Sequence, residues 1–196
     1  MRQFRMFRIW AVLVLTMATP VWADGDDTPE PGTSSKLIAL DQVARVVGPA
    51  VPVTGQSGPL QAVQFAVADP DQFYADWDEQ HDPAQQRITS VSTVKRGEKI
   101  YLMALLRGCQ PATNGKCDVR STLTVHDPSG EEYDFQRDQV AWDKPPREEG
   151  ELVTSGHWMA LTPATEDSVG IWKIDLQLSD RISGNKIDLT LPITVQ

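Results

Sequence analysis

Gly170-Ile-Trp-Lys-Ile-Asp-Leu-Gln-Leu178 puts Trp172, Ile174, Leu176 and Leu178 on one side of an extended chain, with Lys173, Asp175 and Gln177 on the other. A period of two is the mark of a strand with one face against a core and one in water. Ser183-Gly-Asn-Lys186 then reads as a hairpin turn. After it Ile187, Leu189, Leu191, Ile193 and Val195 repeat the pattern, with Asp188, Thr190 and Thr194 outward. Pro192 removes one ladder donor, so this strand is either an edge or turns that position away from its neighbour.

The same period extends back toward Leu60. Val119, Leu123 and Val125 share one face, opposed by Arg120, Thr122, Thr124 and His126. Asp127-Pro-Ser-Gly130 is a turn, because Pro presets φ and Gly accepts positive φ. Tyr133 and Phe135 begin a short strand, and His157 to Leu161 is another. Asp143 to Glu151, with Pro145-Pro146, reads as a surface loop. Glu98 to Leu106 is apolar enough for a strand buried on both faces, whereas Gln61 to Ala68 alternates. Seven or eight short strands with turn residues between them predict an all-β, two-sheet antiparallel sandwich over residues 60–196.

Upstream the composition changes. Arg2, Arg5 and Arg8 precede an apolar run from Ile9 to Thr19, and Pro20-Val-Trp-Ala23 follows. That is the pattern of a secretory signal peptide over residues 1–23, cleaved after Ala23. The run is too short for a membrane span, which needs about 20 residues. No transmembrane segment is therefore expected after cleavage, and the expected location is the periplasm. Residues 24–59 read as an acidic, Pro/Gly-rich, disordered tether. Leu37, Leu40, Val43 and Val47 within it have the spacing of one short amphipathic helix.

The chain of 196 residues has 18 Lys+Arg and 27 Asp+Glu, for a net charge of −9. Removing three Arg with residues 1–23 takes that to −12. Such a balance excludes a nucleic-acid partner, which needs a cationic face; it is compatible with cations or a basic partner, but a solvated acidic face on an exported protein is the preferred reading. In an oxidising compartment the close pair Cys109 and Cys117 is expected to form a local disulfide.

Val94-Lys-Arg-Gly-Glu-Lys-Ile-Tyr101, Leu123-Thr-Val-His-Asp-Pro-Ser-Gly130 and Gly170-Ile-Trp-Lys-Ile-Asp-Leu176 resemble the strand openings and turns of immunoglobulin-like domains, notably macroglobulin-type modules. The chain also resembles small exported bacterial proteins with a Gly-Cys…Gly-Lys-Cys loop. The resemblance implies an immunoglobulin-like fold. It does not bring thioester chemistry, because Cys109 sits in Gly108-Cys-Gln-Pro and has a use in the disulfide. The inter-sheet Cys pair of antibody domains is absent as well. Fold analogy does not confer function.

Candidate chemistry is sparse. His157-Trp-Met159 has a His-x-Met spacing suited to Cu(I), and residues two apart on a strand share a face. Packing of Met159 in the core is the preferred reading, with a periplasmic copper carrier as the alternative. His81-Asp82 and His126-Asp127 are adjacent pairs, but Asp127 has a use in its turn. There is no Gly-x-Ser-x-Gly elbow and no phosphate-binding glycine loop. No enzyme and no cofactor are expected. The expectation is a non-catalytic binding or accessory module acting through sheet edges and loops, with Asp69–Asp82 and Asp143–Glu151 as contact sites. Phe73, Tyr74 and Trp77, framed by acids, form the candidate surface for a partner, expected to be another envelope protein or an exported ligand. The competing reading packs Phe73 and Trp77 onto the sandwich through a short helical turn.

Overall fold

The computed structural model describes residues 45–47, 52–79, 87–148, 151–155 and 159–196. The hairpin forms as its pattern demands: β11 (Gly170–Asp180) and β12 (Lys186–Val195) pair antiparallel, with Trp172 opposite Ile193 and Leu176 opposite Leu189. β7 (Val119–His126) pairs on the other side of β11, and β8 (Glu132–Trp142) pairs with β7. A two-residue β5 (Thr93–Val94) lies parallel to the end of β12, so the sheet runs β5-β12-β11-β7-β8. The Thr194 and Gln196 N–H groups donate to Ser92 and Val94 at 2.8 and 2.9 Å. By the period of two, the Pro192 nitrogen points the same way, past the end of β5. Of the two readings of Pro192, the position turned away from a neighbour is the one realised.

The second sheet runs β2 (Val53–Ser57), β3 (Leu60–Val67) and β6 (Ile100–Arg107), with β9 (Val153–Thr154) and β10 (Met159–Leu161) both on the far side of β6. Leu60, Ala62, Leu102 and Leu106 meet Trp172, Ile174, Leu178 and Leu191 between the sheets. Gln64 sits on this core face between Ala62 and Ala66, and its amide donates to the Ile174 carbonyl of the opposite sheet at 3.2 Å. Its Oε1 has no partner among the described residues. The architecture is an immunoglobulin-like two-sheet sandwich. It is antiparallel except for β5 on β12 and a separate pair, β1 (Arg45–Val47) parallel to β4 (Arg87–Thr89).

Three expectations need correction. The helical spacing at Leu37–Val47 does not give a helix over Arg45–Val47, which is β1; the rest of that stretch lies outside the described residues. A short helix is marginal by itself, and paired Val46-Val47 suits a strand better. The stretch 49–59 is not all linker, because Val53–Ser57 forms β2. The third correction concerns β3, which is buried along its whole length and not only on one face. The helix α1 (Pro70–Glu79), the one helix among the described residues, causes this by covering the outer side of the β3–β6 pair. Asp69 caps α1 by accepting from the Asp71 and Gln72 N–H groups at 3.0 and 3.1 Å.

Gly55 explains why β2 reads as linker. A Cβ at this position would lie 2.6 Å from Ile187 and 2.7 Å from Leu189, so β12 approaches the bare backbone. Gly55→Val is expected to cost about 2 kcal/mol by overpacking, measured by urea unfolding. A cost below about 0.5 kcal/mol would return Val53–Ser57 to the tether.

Candidate functional site

Cys109 and Cys117 are bonded (S–S 2.08 Å) and both are buried in the core between the sheets. Asp180, fully buried, ties their loop to the β11–β12 turn. Its Oδ2 accepts from the Gln110 N–H at 2.9 Å and the Ser183 hydroxyl at 2.7 Å. Its Oδ1 accepts from the Ile182 N–H at 3.0 Å and the Ser183 N–H at 3.4 Å. Every one of these donors belongs to a turn or loop, so the carboxylate is a structural hub. Gly108 enters the loop at φ +76°, where a Cβ would meet the Pro59 carbonyl oxygen.

Phe73, Tyr74 and Trp77 come together on α1. Phe73 is buried among Val63, Phe65, Val67, Met103 and Leu105, and its ring lies 5.5 Å from Phe65, 5.3 Å from Tyr74 and 5.8 Å from Trp77. Phe73 therefore fastens α1 to the sheet and has no ring left to offer. Tyr74 and Trp77 keep part of their rings at the surface, and burial raises the Tyr74 phenol above its ordinary value.

Met159 is 3% exposed and fills the core between the sheets. His157 lies outside the described residues, as does His81. Met103 belongs to the separate cluster under α1, so Met103 and Met159 do not share a site. Among the described residues no three His, Cys, Asp or Glu side chains are grouped to hold a metal ion. Asp127 spends its carboxylate on the turn, accepting from the Ser129 N–H and hydroxyl and the Glu131 N–H, and the Ser129 hydroxyl foremost lowers its pKa. His126 instead meets Asp175 across the sheet at 3.3 Å. Thr190 donates its hydroxyl to the same Asp175, which completes a polar row on the outer face.

The surface that sequence reasoning passed over is β8. It ends its sheet, and three of its large apolar side chains stand in solvent: Phe135 at 47%, Tyr133 at 41% and Val140 at 39% exposure. The Arg137 guanidinium lies over the Phe135 ring, 4.3 Å from its centroid. Tyr133 rests edge-on against buried Trp172 (4.6 Å) and donates its hydroxyl to Asp167 at 2.8 Å. The strand has three register shifts against β7, and Asp138 adopts φ 53°. The Asp138 carboxylate pairs with Arg181. Bulges and charges of this kind blunt an edge. Side chains also occupy its backbone: Asp134 accepts from the Phe135 N–H at 2.7 Å, and Gln139 donates to the Arg137 carbonyl at 2.9 Å. The sequence signal was Glu132-Tyr-Asp-Phe-Gln-Arg137, where aromatics alternate with charges and the bulges break the parity of a core-facing strand.

The Tyr133 phenol is pushed up to about 12, first by its hydrogen bond to Asp167 and then by burial. A raised folded-state value means that the neutral phenol stabilises the fold. That stabilisation is complete below the ordinary phenol value of 10.0 and is lost as pH climbs through about 12. Tyrosinate absorbance is expected to lose its late phase near pH 12 in Tyr133→Phe. An unchanged titration curve would disprove the bond to Asp167.

No family model matches the chain, and no curated protein sequence matches it. Solved structures do. One is a Niemann-Pick type C2 protein from Japanese carpenter ant, 8% identical, aligned over 75% of this chain and 95% of that one with a TM-score of 0.39. Another is a family 123 glycoside hydrolase from Clostridium perfringens, 8% identical, aligned over 70% of this chain with a TM-score of 0.41; the match spans only 27% of that enzyme. Neither likeness carries a ligand, an activity or a partner to this chain.

Proposed function

We propose that this chain is a non-catalytic binding module of the periplasm, and that it engages another envelope protein through the side chains of β8. The observation that carries the reading is the exposure of Phe135 and Val140 on the outer face of one terminal strand, with Tyr133 half-exposed at its edge and Arg137 stacked on Phe135. Aromatic and Arg side chains are the residue types that dominate interface energies. Export is supported by the Arg-led apolar run before Ala23 and by the buried disulfide. No helix among the described residues is long and apolar enough to cross a membrane. The copper alternative at His157 and Met159 gains no support, because the Met159 thioether is used in the core.

The test is crosslinking in cells followed by recovery of the tagged chain. Phe135→Ala is expected to lower partner recovery at least about tenfold, the effect of removing an anchor worth about 1.4 kcal/mol or more. Its unfolding midpoint should match the parent's. Recovery that survives Phe135→Ala but is lost in Trp77→Ala would move the interface to α1 and overturn the proposal.

A further inference from the structure

We infer that the partner meets this edge with a basic, Lys/Arg-rich segment held by side-chain contacts and not by strand addition; the inference rests on β8 being the docking surface. Three observations carry it. One face of the exposed Phe135 ring already takes a guanidinium, that of Arg137, so this ring attracts a cation in this setting. Between Asp127 and Asp138 the chain holds Asp127, Glu131, Glu132, Asp134 and Asp138 against Arg137 alone, five acids to one base, a local charge of −4. Of these, Glu132 pairs with Arg137 and Asp138 with Arg181, while Glu131 and Asp134 make no salt bridge among the described residues. An exposed ring on a terminal strand whose flanking charges are mostly carboxylates complements a cationic segment and repels an acidic one. The net charge of −9 adds long-range attraction of the same sign.

The third observation decides the mode of contact. Strand addition needs free backbone donors and acceptors in register. Here the Phe135 N–H and the Arg137 carbonyl are taken by Asp134 and Gln139, and the register breaks three times along β8. A segment docking here finds ring faces and carboxylates to hold it.

The experiment titrates the full chain into a fluorescently labelled peptide of alternating Arg, Lys and Gly, with a Glu/Gly peptide as counterpart. Anisotropy should report binding of the basic peptide only, weakening as salt rises. Phe135→Leu keeps the apolar bulk and removes the ring; it should weaken binding about threefold to tenfold. Glu131→Gln with Asp134→Asn, whose amide oxygen still accepts the Phe135 N–H, should weaken it comparably. Asp71→Asn on α1 should leave it unchanged. A basic peptide with N-methylated backbone should bind as well as its parent. Absence of binding, equal loss in Asp71→Asn, indifference to Phe135→Leu, or loss on N-methylation overturns the inference. If crosslinking through β8 succeeds while the basic peptide fails, the docking surface stands and only the chemistry assigned to its partner falls.

Discussion

Asp180→Ala is expected to lower stability by about 4 kcal/mol in urea unfolding under oxidising conditions. The carboxylate is sealed from solvent and takes hydrogen bonds from three backbone N–H groups and one hydroxyl. Bonds to a charged acceptor contribute about 1.5–3 kcal/mol each, and a buried donor left without a partner costs about 1–3 kcal/mol. Ser183 can turn its hydroxyl elsewhere, but the Gln110 and Ile182 N–H groups are fixed by their loops. Asp180→Asn keeps one acceptor oxygen while facing an NH2 group toward donors, so it should cost about 2 kcal/mol. Because Gln110 follows Cys109, the Asp180 variant and a Cys109→Ala/Cys117→Ala pair should be non-additive by more than about 0.5 kcal/mol. Additive losses would mean that the disulfide loop and the hairpin turn are held independently.

Trp172→Ala should cost a similar amount, about 3–5 kcal/mol, since it empties the largest fully buried side chain of the core. It also abolishes the Nε1 hydrogen bond to the Ser168 carbonyl at 2.9 Å. A further consequence sets it apart from an ordinary cavity variant. Tyr133 loses the ring it leans on, so its bond to Asp167 loosens and the late phenol titration should move down toward the ordinary range. Trp172→Phe, which retains an aromatic seat, should cost about 1–2 kcal/mol and keep much of that titration. Loss of stability without any change at Tyr133 would sever the proposed link between the core and the β8 surface.

What could be read from the sequence was set by local periodicity. β7, β11 and β12 each have one wet face, so their alternation is visible residue by residue. The disulfide follows from two cysteines in a loop. Packing of Phe73 and Trp77 against the sheet follows from their spacing of four. The failures share a tertiary cause. β2 contains a glycine because β12 crowds it, and a glycine between Val53-Thr54 and Gln56-Ser57 looks like linker until Ile187 and Leu189 are placed beside it. The alternation of β3 suggested one open face, but the Gln64 side meets the opposite sheet and the Val63-Phe65-Val67 side lies under α1. His126 found Asp175, forty-nine positions on, through cross-strand register and not through its neighbour Asp127. Alternation alone does not separate a central from a terminal strand, so the charges among the aromatics of Glu132-Tyr-Asp-Phe-Gln-Arg137 were the local hint at an exposed β8, and the sheet order made it definite.

Site-specific photo-crosslinking in cells from position 135, with position 75 on the outer side of α1 as control, tests the docking surface most directly. A discrete crosslinked species from Phe135, absent from Ala75, is the expected result, and mass spectrometry of its peptide should place Lys and Arg beside the crosslink. Crosslinks from Ala75 and none from Phe135 would show that the partner sits on the helix, and that the aromatic edge of β8 is surface with no binding role.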